Sequence, residues 1–438
     1  MGEVRIASVT GVLLVGGASD RFGSPKALAR LRGETLAERG WRILGEAFPE
    51  RLATGKGELD LPFDVVVEPA EPQAPIAGVV AGLRAAASDT VVCLPVDCPL
   101  VTPELLRALG EAGAVPRTGP LPGAYAQAHL PELERRLAAG DLSLRGVNER
   151  VLDVDQALLL DVDVPRDLAL AAVTAWARER ADVRGLVLVG SLARADAPAD
   201  EWSDVDVIAF VDDPARYLDD DAWVAELGKP VLTFVEPAAV GGIFERRVLL
   251  ERGVDVDVVL VPVARANDLF GEAAVVLRRG YLVLHDEVGL AARLVVSVAT
   301  AEETAPLPTE AELENLCADL WYHGLWTAKK LRRGELWTAL ECLDAHMRGL
   351  LLALLRWRAA AEGRPTWHGA RFVEEWAGEP AEALAATFGG YDEAAAGRAL
   401  WAMVDLAGRL ERELRVRLGL DPRDRAEAAR LIEQVQPR

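Results

Sequence analysis

The chain is poor in cysteine and lysine and has no long apolar run. Its four cysteines, Cys93, Cys98, Cys317 and Cys342, form no metal-type C-x-x-C pair, and they read as reduced, mostly buried thiols. No apolar stretch approaches the roughly 18 residues of a membrane-spanning helix. The first apolar run, Gly11–Val15, has no basic leader and no cleavage site, so it reads as a strand rather than a signal peptide. These absences point to a cytoplasmic protein with no membrane partner. Basic residues are outnumbered, 48 Lys+Arg against 69 Asp+Glu, for a net charge of −21. That balance argues against a nucleic-acid-binding surface, which needs basic patches. It suits a cationic substrate, although a solvated acidic surface accounts for most of the charge. Only five residues are lysine, so a lysine inside a glycine-rich loop stands out. There is no glycine- or serine-rich linker and no internal repeat.

What is present describes a folded protein. Hydrophobic residues make up 51% and charged residues 27% of 438 residues, enough for two or three domains. Up to about residue 168, β-type runs (Val12–Val15, Phe63–Val67, Val91–Val96) alternate with helical stretches (Pro25–Leu44, Gly78–Ala87, Pro103–Leu109). The alternation predicts an α/β sandwich around a mostly parallel sheet. Pro165–Ala181 reads as one helix joining two halves, with Pro165 in its first turn. A second strand set follows: Leu186–Val189, Val205–Val211, Val231–Val235 and Val254–Val261. From about 308 the chain is helical, with Leu313, Leu316, Leu320, Thr327 and Leu331 on one face. We expect three domains: 1–168, 169–304 and 305–438.

Two constellations carry chemistry. The first is the loop Gly16-Gly17-Ala18-Ser19-Asp20-Arg21-Phe22-Gly23-Ser24-Pro25-Lys26, directly after the first strand. Gly16 and Gly17 let backbone approach phosphate oxygens. Arg21 and Lys26 can neutralise phosphate charge, and a helix starting near Pro25 would add its positive end. Asp97, at the end of Val91–Val96, is placed to hold Mg²⁺, and Asp163 can complete that site. The loop is neither a dinucleotide G-x-G-x-x-G nor a Walker loop, and Asp97 alone could cap the helix near Pro103.

The second constellation is Gly190-Ser191, then Ser203-Asp204-Val205-Asp206 opening an apolar strand, then Asp257 on another strand. Residues two apart on a strand share a face, so Asp204 and Asp206 can hold Mg²⁺ together with Asp257. The Ser191 hydroxyl and the N–H groups around Gly190 suit the β- and γ-phosphates. An Asp-x-Asp pair alone is weak here, because Asp153/Asp155, Asp161/Asp163, Asp219/Asp221 and Asp255/Asp257 also occur. The whole order is the signature of DNA polymerase β-like nucleotidyltransferases.

Residues 11–170 resemble the molybdenum cofactor guanylyltransferase family and its cytidylyltransferase relatives. The matching pieces are Leu14-Val15-Gly16-Gly17 through Arg21, Gly23 and Lys26; Gly33 with Thr35-Leu36; Pro75-Ile76-Ala77-Gly78; Pro95-Val96-Asp97-Cys98-Pro99; Gly119-Pro120-Leu121-Pro122 with Tyr125; and Asp161-Val162-Asp163-Val164-Pro165. The resemblance implies nucleotide binding by Val15, Gly16, Gly17, Arg21, Gly23, Lys26 and Gly78. It also implies catalysis by Lys26 and Asp97, and transfer of a nucleoside monophosphate to molybdopterin or a similar phosphate. Pro75–Gly78 resembles the guanylyl branch, which favours GTP. Phe22 stands where that family more often has methionine, and Ser24-Pro25-Lys26 is nearer the cytidylyl branch, so CTP stays open.

Residues 186–420 resemble the aminoglycoside 6-adenylyltransferase family, through Val254–Pro262, Ala328–Trp337, Leu352–Trp357 and Thr387–Met403. This implies adenylyl transfer from ATP to a hydroxyl of an aminoglycoside-like acceptor, with Gly190 and Ser191 on the nucleotide and Asp204, Asp206 and Asp257 catalytic. The segment from Ser191 to Asp204 departs from the family pattern, and Asp255 adds a further carboxylate. Trp321, Tyr322, Trp326 and Trp337 read mainly as core. His323 and His346 read as packing or surface residues rather than metal ligands. Glu335 is either an acceptor-binding carboxylate or base, or simply an exposed one. The expected fold is a Rossmann-like three-layer sheet, then a polymerase β-like α+β core, then a helical bundle. A chain with one unit serving as scaffold, or a nucleotide sensor without turnover, is the alternative. Complete carboxylate sets in both units weigh against it.

Overall fold

The first apolar run is the central strand of a five-stranded sheet. Val9–Leu14 pairs in parallel with Glu50–Gly55 on one side and Thr90–Pro95 on the other. Val65–Val67 extends the parallel set, and Gly123–Ala126 closes the far edge antiparallel. Helices cover both faces, so this strand is buried from Thr10 to Leu14. Leu13 packs with Ile43, Leu44, Leu106 and Leu109 on one side. Val12 packs with Ile76, Val79, Leu83 and Leu133 on the other. The structure is a computed structural model describing residues 9–16, 22, 25–57, 59–194, 196, 199–239, 242–300, 307–364, 366 and 370–436. It separates into two compact units, Met1–Ala301 and Glu302–Arg438.

One expected helix is not there. Pro25–Leu44 begins with a single 3₁₀ turn, Lys26–Leu28, followed by a two-residue hairpin. The α-helix starts only at Leu36. Arg32 and Gly33 both have positive φ, 54° and 89°, which sets the reverse turn between Arg30–Leu31 and Glu34–Thr35. Thr35 then caps the helix, its hydroxyl accepting from Glu38 N–H while the Glu38 carboxylate returns to Thr35 N–H. Apolar spacing alone did not reveal this break. No helix dipole therefore starts beside Lys26. Asp97 is not a cap either: Thr102 caps the helix Pro103–Ala112.

Pro165–Arg178 is one helix with Pro165 in its first turn. Every residue from Ala169 to Ala177 is buried, so this stretch has no solvent face. Ala171, Ala172 and Ala175 pack with Phe22, Leu31, Leu36 and Leu100 of the first sheet's side. Ala169, Leu170, Val173 and Trp176 pack against the second sheet. The helix is thus a shared wall of two cores. Of its buried residues, only alanines face the first sheet's side, while Leu170, Val173 and Trp176 face the second.

The second sheet has six strands in the order Pro230–Pro237, Phe244–Leu250, Val254–Pro262, Val205–Val211, Val183–Val189, Leu282–Asp286. Val205–Val211 and Val254–Pro262 run parallel, and the other neighbours are antiparallel. Phe244–Leu250 and Leu282–Asp286 are strands that the sequence pattern does not single out. In the first, Glu245 and Arg246 are buried, which breaks the apolar pattern. The Arg246 guanidinium is satisfied by the carbonyls of Tyr217 and Leu218.

The second unit is helical. Glu310–Arg332, Arg348–Ala361 and Glu393–Arg417 enclose Leu313, Leu320, Leu331, Leu354, Leu400 and Leu410. Thr309 and Glu312 form a capping box at the first of these helices. A π-helical turn, Cys342–Met347, precedes Arg348. Arg415 is fully buried against Glu411 and Glu314. Among the described residues no helix is long and apolar enough to cross a membrane.

Candidate functional site

In the first sheet, parallel register sets the site. Leu14 lies beside Pro95, so the loops after these two strands leave the same edge. Val96 N–H donates to Leu14 O, and Val162 N–H donates to Asp97 O. Asp97 and Asp163 are thereby brought to one place. Lys26 Nζ lies 3.3 Å from Asp97 Oδ2 and 2.5 Å from Asp163 Oδ1. Burial pushes the Lys26 ammonium down, but the two carboxylates outweigh it and raise its pKa. Burial also raises the carboxyl of nearby Asp161, helped by Asp163 and Asp97. Lys26, Asp97 and Asp163 thus meet although they are far apart in sequence.

Gly16 and Gly78 are closely packed against neighbouring residues. A Cβ on Gly16 would come within 2.9 Å of Glu68 Oε1, and one on Gly78 within 2.9 Å of Thr54 Oγ1. Val15 is buried behind them, and its N–H donates to Thr54 O. Glu68 is a buried carboxylate paired with Lys56 Nζ at 3.2 Å, and the buried Thr54 hydroxyl has no partner among the described residues. Sequence reading missed Thr54, Lys56 and Glu68, because none lies in a recognisable motif. Gly17, Arg21 and Gly23 lie outside the described residues.

In the second sheet, Asp206 stands opposite Asp257 across the parallel pair, and Val189 stands opposite Asp206 on the other side. Asp204, Asp206 and Asp257 each offer an oxygen, and these oxygens lie within 4.8 Å of one another. Three hard carboxylate donors match Mg²⁺. Asp255 is exposed and outside this group. Burial pushes the Asp257 carboxyl up to about 7 against the opposing pull of Arg247, with Asp204 adding to the rise. Arg247 Nη1 lies 2.5 Å from Asp257 Oδ2, and its Nε reaches Glu236 and Glu245. Arg247 is a site residue that sequence reading missed, since it lies on one of the unexpected strands.

Gly190 follows the strand Val183–Val189 with φ +72°, and an added Cβ would sit 2.0 Å from Asp206 Oδ2. Only glycine lets the chain turn that close to the carboxylate. Ser191 is buried and its hydroxyl has no partner among the described residues. Buried hydroxyls without a partner are rare and call for a structural or functional explanation.

The helical unit separates the other named residues. Trp321 and Trp326 are partly buried against the core, while Tyr322 and Trp337 are exposed. Glu335 is held ionised, its carboxyl pulled down chiefly by the hydrogen bond from Lys330 and then by Arg333. That is the wrong direction for a general base.

Comparison with known proteins finds two families. Residues 167–431 match the family model described as streptomycin adenylyltransferase. Residues 11–150 match the model described as a MobA-like NTP transferase domain. The aminoglycoside 6-adenylyltransferase of Bacillus subtilis is 25% identical over 190 residues, spanning 41% of this chain. That match spans 64% of the relative, just under two thirds of its length. A probable molybdenum cofactor guanylyltransferase of Opitutus terrae is 36% identical over 159 residues, covering 33% of this chain and 79% of the relative. The crystal structure of the Bacillus subtilis aminoglycoside 6-adenyltransferase aligns at 19% identity and TM-score 0.31, covering 62% of this chain and 99% of that one. Both matched families are nucleotidyltransferases; Asp97 falls in the first sheet's match and Asp204, Asp206 and Asp257 in the second's, while Asp163 lies between the two.

Proposed function

Since the chain belongs to the streptomycin adenylyltransferase family and carries a MobA-like NTP transferase domain ahead of it, we propose a two-site nucleotidyltransferase. In this reading residues 1–168 and 169–304 each form a transfer domain, and residues 305–438 bind the acceptor. The second site moves an adenylyl group from ATP to a hydroxyl of an aminoglycoside-like alcohol. The first moves a nucleoside monophosphate, from GTP ahead of CTP, to molybdopterin or a similar phosphate. The protein works in the cytoplasm.

The observation that carries the reading is the convergence of Asp204, Asp206 and Asp257 within 4.8 Å, beside the unpartnered Ser191 hydroxyl. These carboxylates would hold Mg²⁺, which when bound lowers the pKa of an attacking hydroxyl and neutralises triphosphate charge. The Ser191 hydroxyl and the backbone at Gly190 take phosphate oxygens. Arg247 holds Asp257 in position through its ion pair. At the first site Asp97 and Asp163 would hold the cation. Lys26 exchanges its carboxylate contacts for the phosphates of the bound nucleotide. The missing Cβ at Gly78 lets its helix pack closely on Thr54 and Leu14.

Pyrophosphate release tests this directly. Each NTP is supplied to the intact protein with Mg²⁺, alone, with an aminoglycoside panel, and with molybdopterin. We expect ATP to be consumed with an aminoglycoside-like alcohol, and GTP or CTP with the phosphate acceptor. Release confined to one pair would reduce the account to one working unit. Binding of NTPs with no release would make the protein a sensor.

A further inference from the structure

We propose that Asp319, His323 and His346 form a binding site for a divalent transition metal of the zinc class in the helical unit. It uses none of the residues assigned to nucleotidyl transfer. Asp319 and His323 are four apart on the helix Glu310–Arg332 and therefore share a face. His346 comes from the π-helical turn Cys342–Met347. Such turns recur at functional sites.

The three side chains converge on one point. His323 Nδ1 lies 2.6 Å from Asp319 Oδ1, and His346 Nε2 lies 2.9 Å from the same oxygen. The ligand atoms of all three residues lie within 4.8 Å of one another, and the two imidazole rings are 4.2 Å apart. All three side chains are part-exposed, at 32%, 29% and 44% for Asp319, His323 and His346, so solvent and ions reach them.

The donor set decides the metal class. Two imidazole nitrogens and one carboxylate oxygen suit Zn²⁺ and its neighbours, whereas Mg²⁺ and Ca²⁺ prefer all-oxygen sites. Zinc bonds to such donors at about 2.0–2.2 Å, so the three atoms need to separate by less than about 1 Å to admit it. The metal takes the place of the hydrogen bonds that now join each imidazole to the carboxylate. Three protein ligands leave a position for water. Bound there, the metal ties the first helix of the unit to the π-helical turn, and by binding only the folded state it stabilises the fold.

The test uses tag-free full-length protein titrated with Co²⁺ and followed by visible absorption. We expect an intense ligand-field band that saturates at one equivalent, is displaced by Zn²⁺, and persists in Asp206→Asn. His323→Ala and His346→Ala should each weaken binding by roughly 10–100-fold or more. Circular dichroism confirms that the variants remain folded, and the wild-type band stands as a result independent of them. Absence of the band in wild type, or its survival in both histidine variants, would overturn the proposal.

Discussion

Asp206 and Asp257 face each other in register across two parallel strands. Two separate segments of the chain therefore supply one carboxylate site, and either residue can be removed without touching the other's strand. Asp206→Asn and Asp257→Asn should each cut adenylyl turnover on the order of a hundredfold or more, because a metal-held charge is worth several kcal/mol in the transition state. The loss should fall on kcat more than on the KM of the acceptor. Steady-state kinetics with ATP and an aminoglycoside check this, and an unchanged kcat would remove these carboxylates from the catalytic site.

The raised carboxyl of Asp257 gives a pH signature. Its folded pKa is about 7 against an ordinary 3.8, so between these values the folded protein holds a proton that the unfolded chain has released. The stability contributed by this group is complete below pH 3.8 and drains away as pH rises to about 7. Thermal melts of metal-free protein should therefore fall across this window more steeply in wild type than in Asp257→Asn. Parallel profiles would contradict the buried-carboxylate picture.

Gly190 is predicted to be irreplaceable for a reason of space. Gly190→Ala adds a left-handed strain of roughly 1–2 kcal/mol and places a methyl group 2.0 Å from the Asp206 carboxylate. Adenylyl transfer should drop far more than the change in melting temperature explains, while transfer at the first site persists. Retained adenylyl activity would mean that Asp206 can move without consequence.

Lys26 sits between Asp97 and Asp163 with its ammonium charge reinforced by both. Lys26→Met should cost the first site a charge-assisted phosphate contact, about 1.5–3 kcal/mol, or roughly 10–100-fold in kcat/KM for the NTP. Asp97→Asn should abolish transfer there with the fold intact. Kinetics with GTP and CTP measure both, and undiminished transfer by Asp97→Asn would remove that residue from the site.

Much of this was legible in the sequence, and the failures have physical causes. Val12–Val15 and Val258–Val261 are uninterrupted apolar runs bounded by turn or charged residues, so the strands and the aspartates on or beside them could be placed by counting. Pro165–Ala181 read as one helix because its spacing and its proline agree, and the helix ends at Arg178. The Pro25–Leu44 stretch misled because the left-handed turn at Arg32-Gly33 leaves no mark on hydrophobic spacing. Phe244–Leu250 escaped notice because Glu245 and Arg246 are buried through pairing rather than apolarity, and Arg247 was lost with it. His323 and His346 looked unrelated because only the π-helical turn brings them to the same carboxylate.

The central claim is that two nucleotidyl-transfer sites work independently in one chain. Purified Asp97→Asn and Asp206→Asn variants, each assayed for both activities by pyrophosphate release, test it most directly. The account predicts a crossed pattern: Asp97→Asn loses guanylyl or cytidylyl transfer and keeps adenylyl transfer, and Asp206→Asn does the reverse. Loss of both activities in either variant, with circular dichroism native, would contradict it and mean that the two sites share one catalytic apparatus.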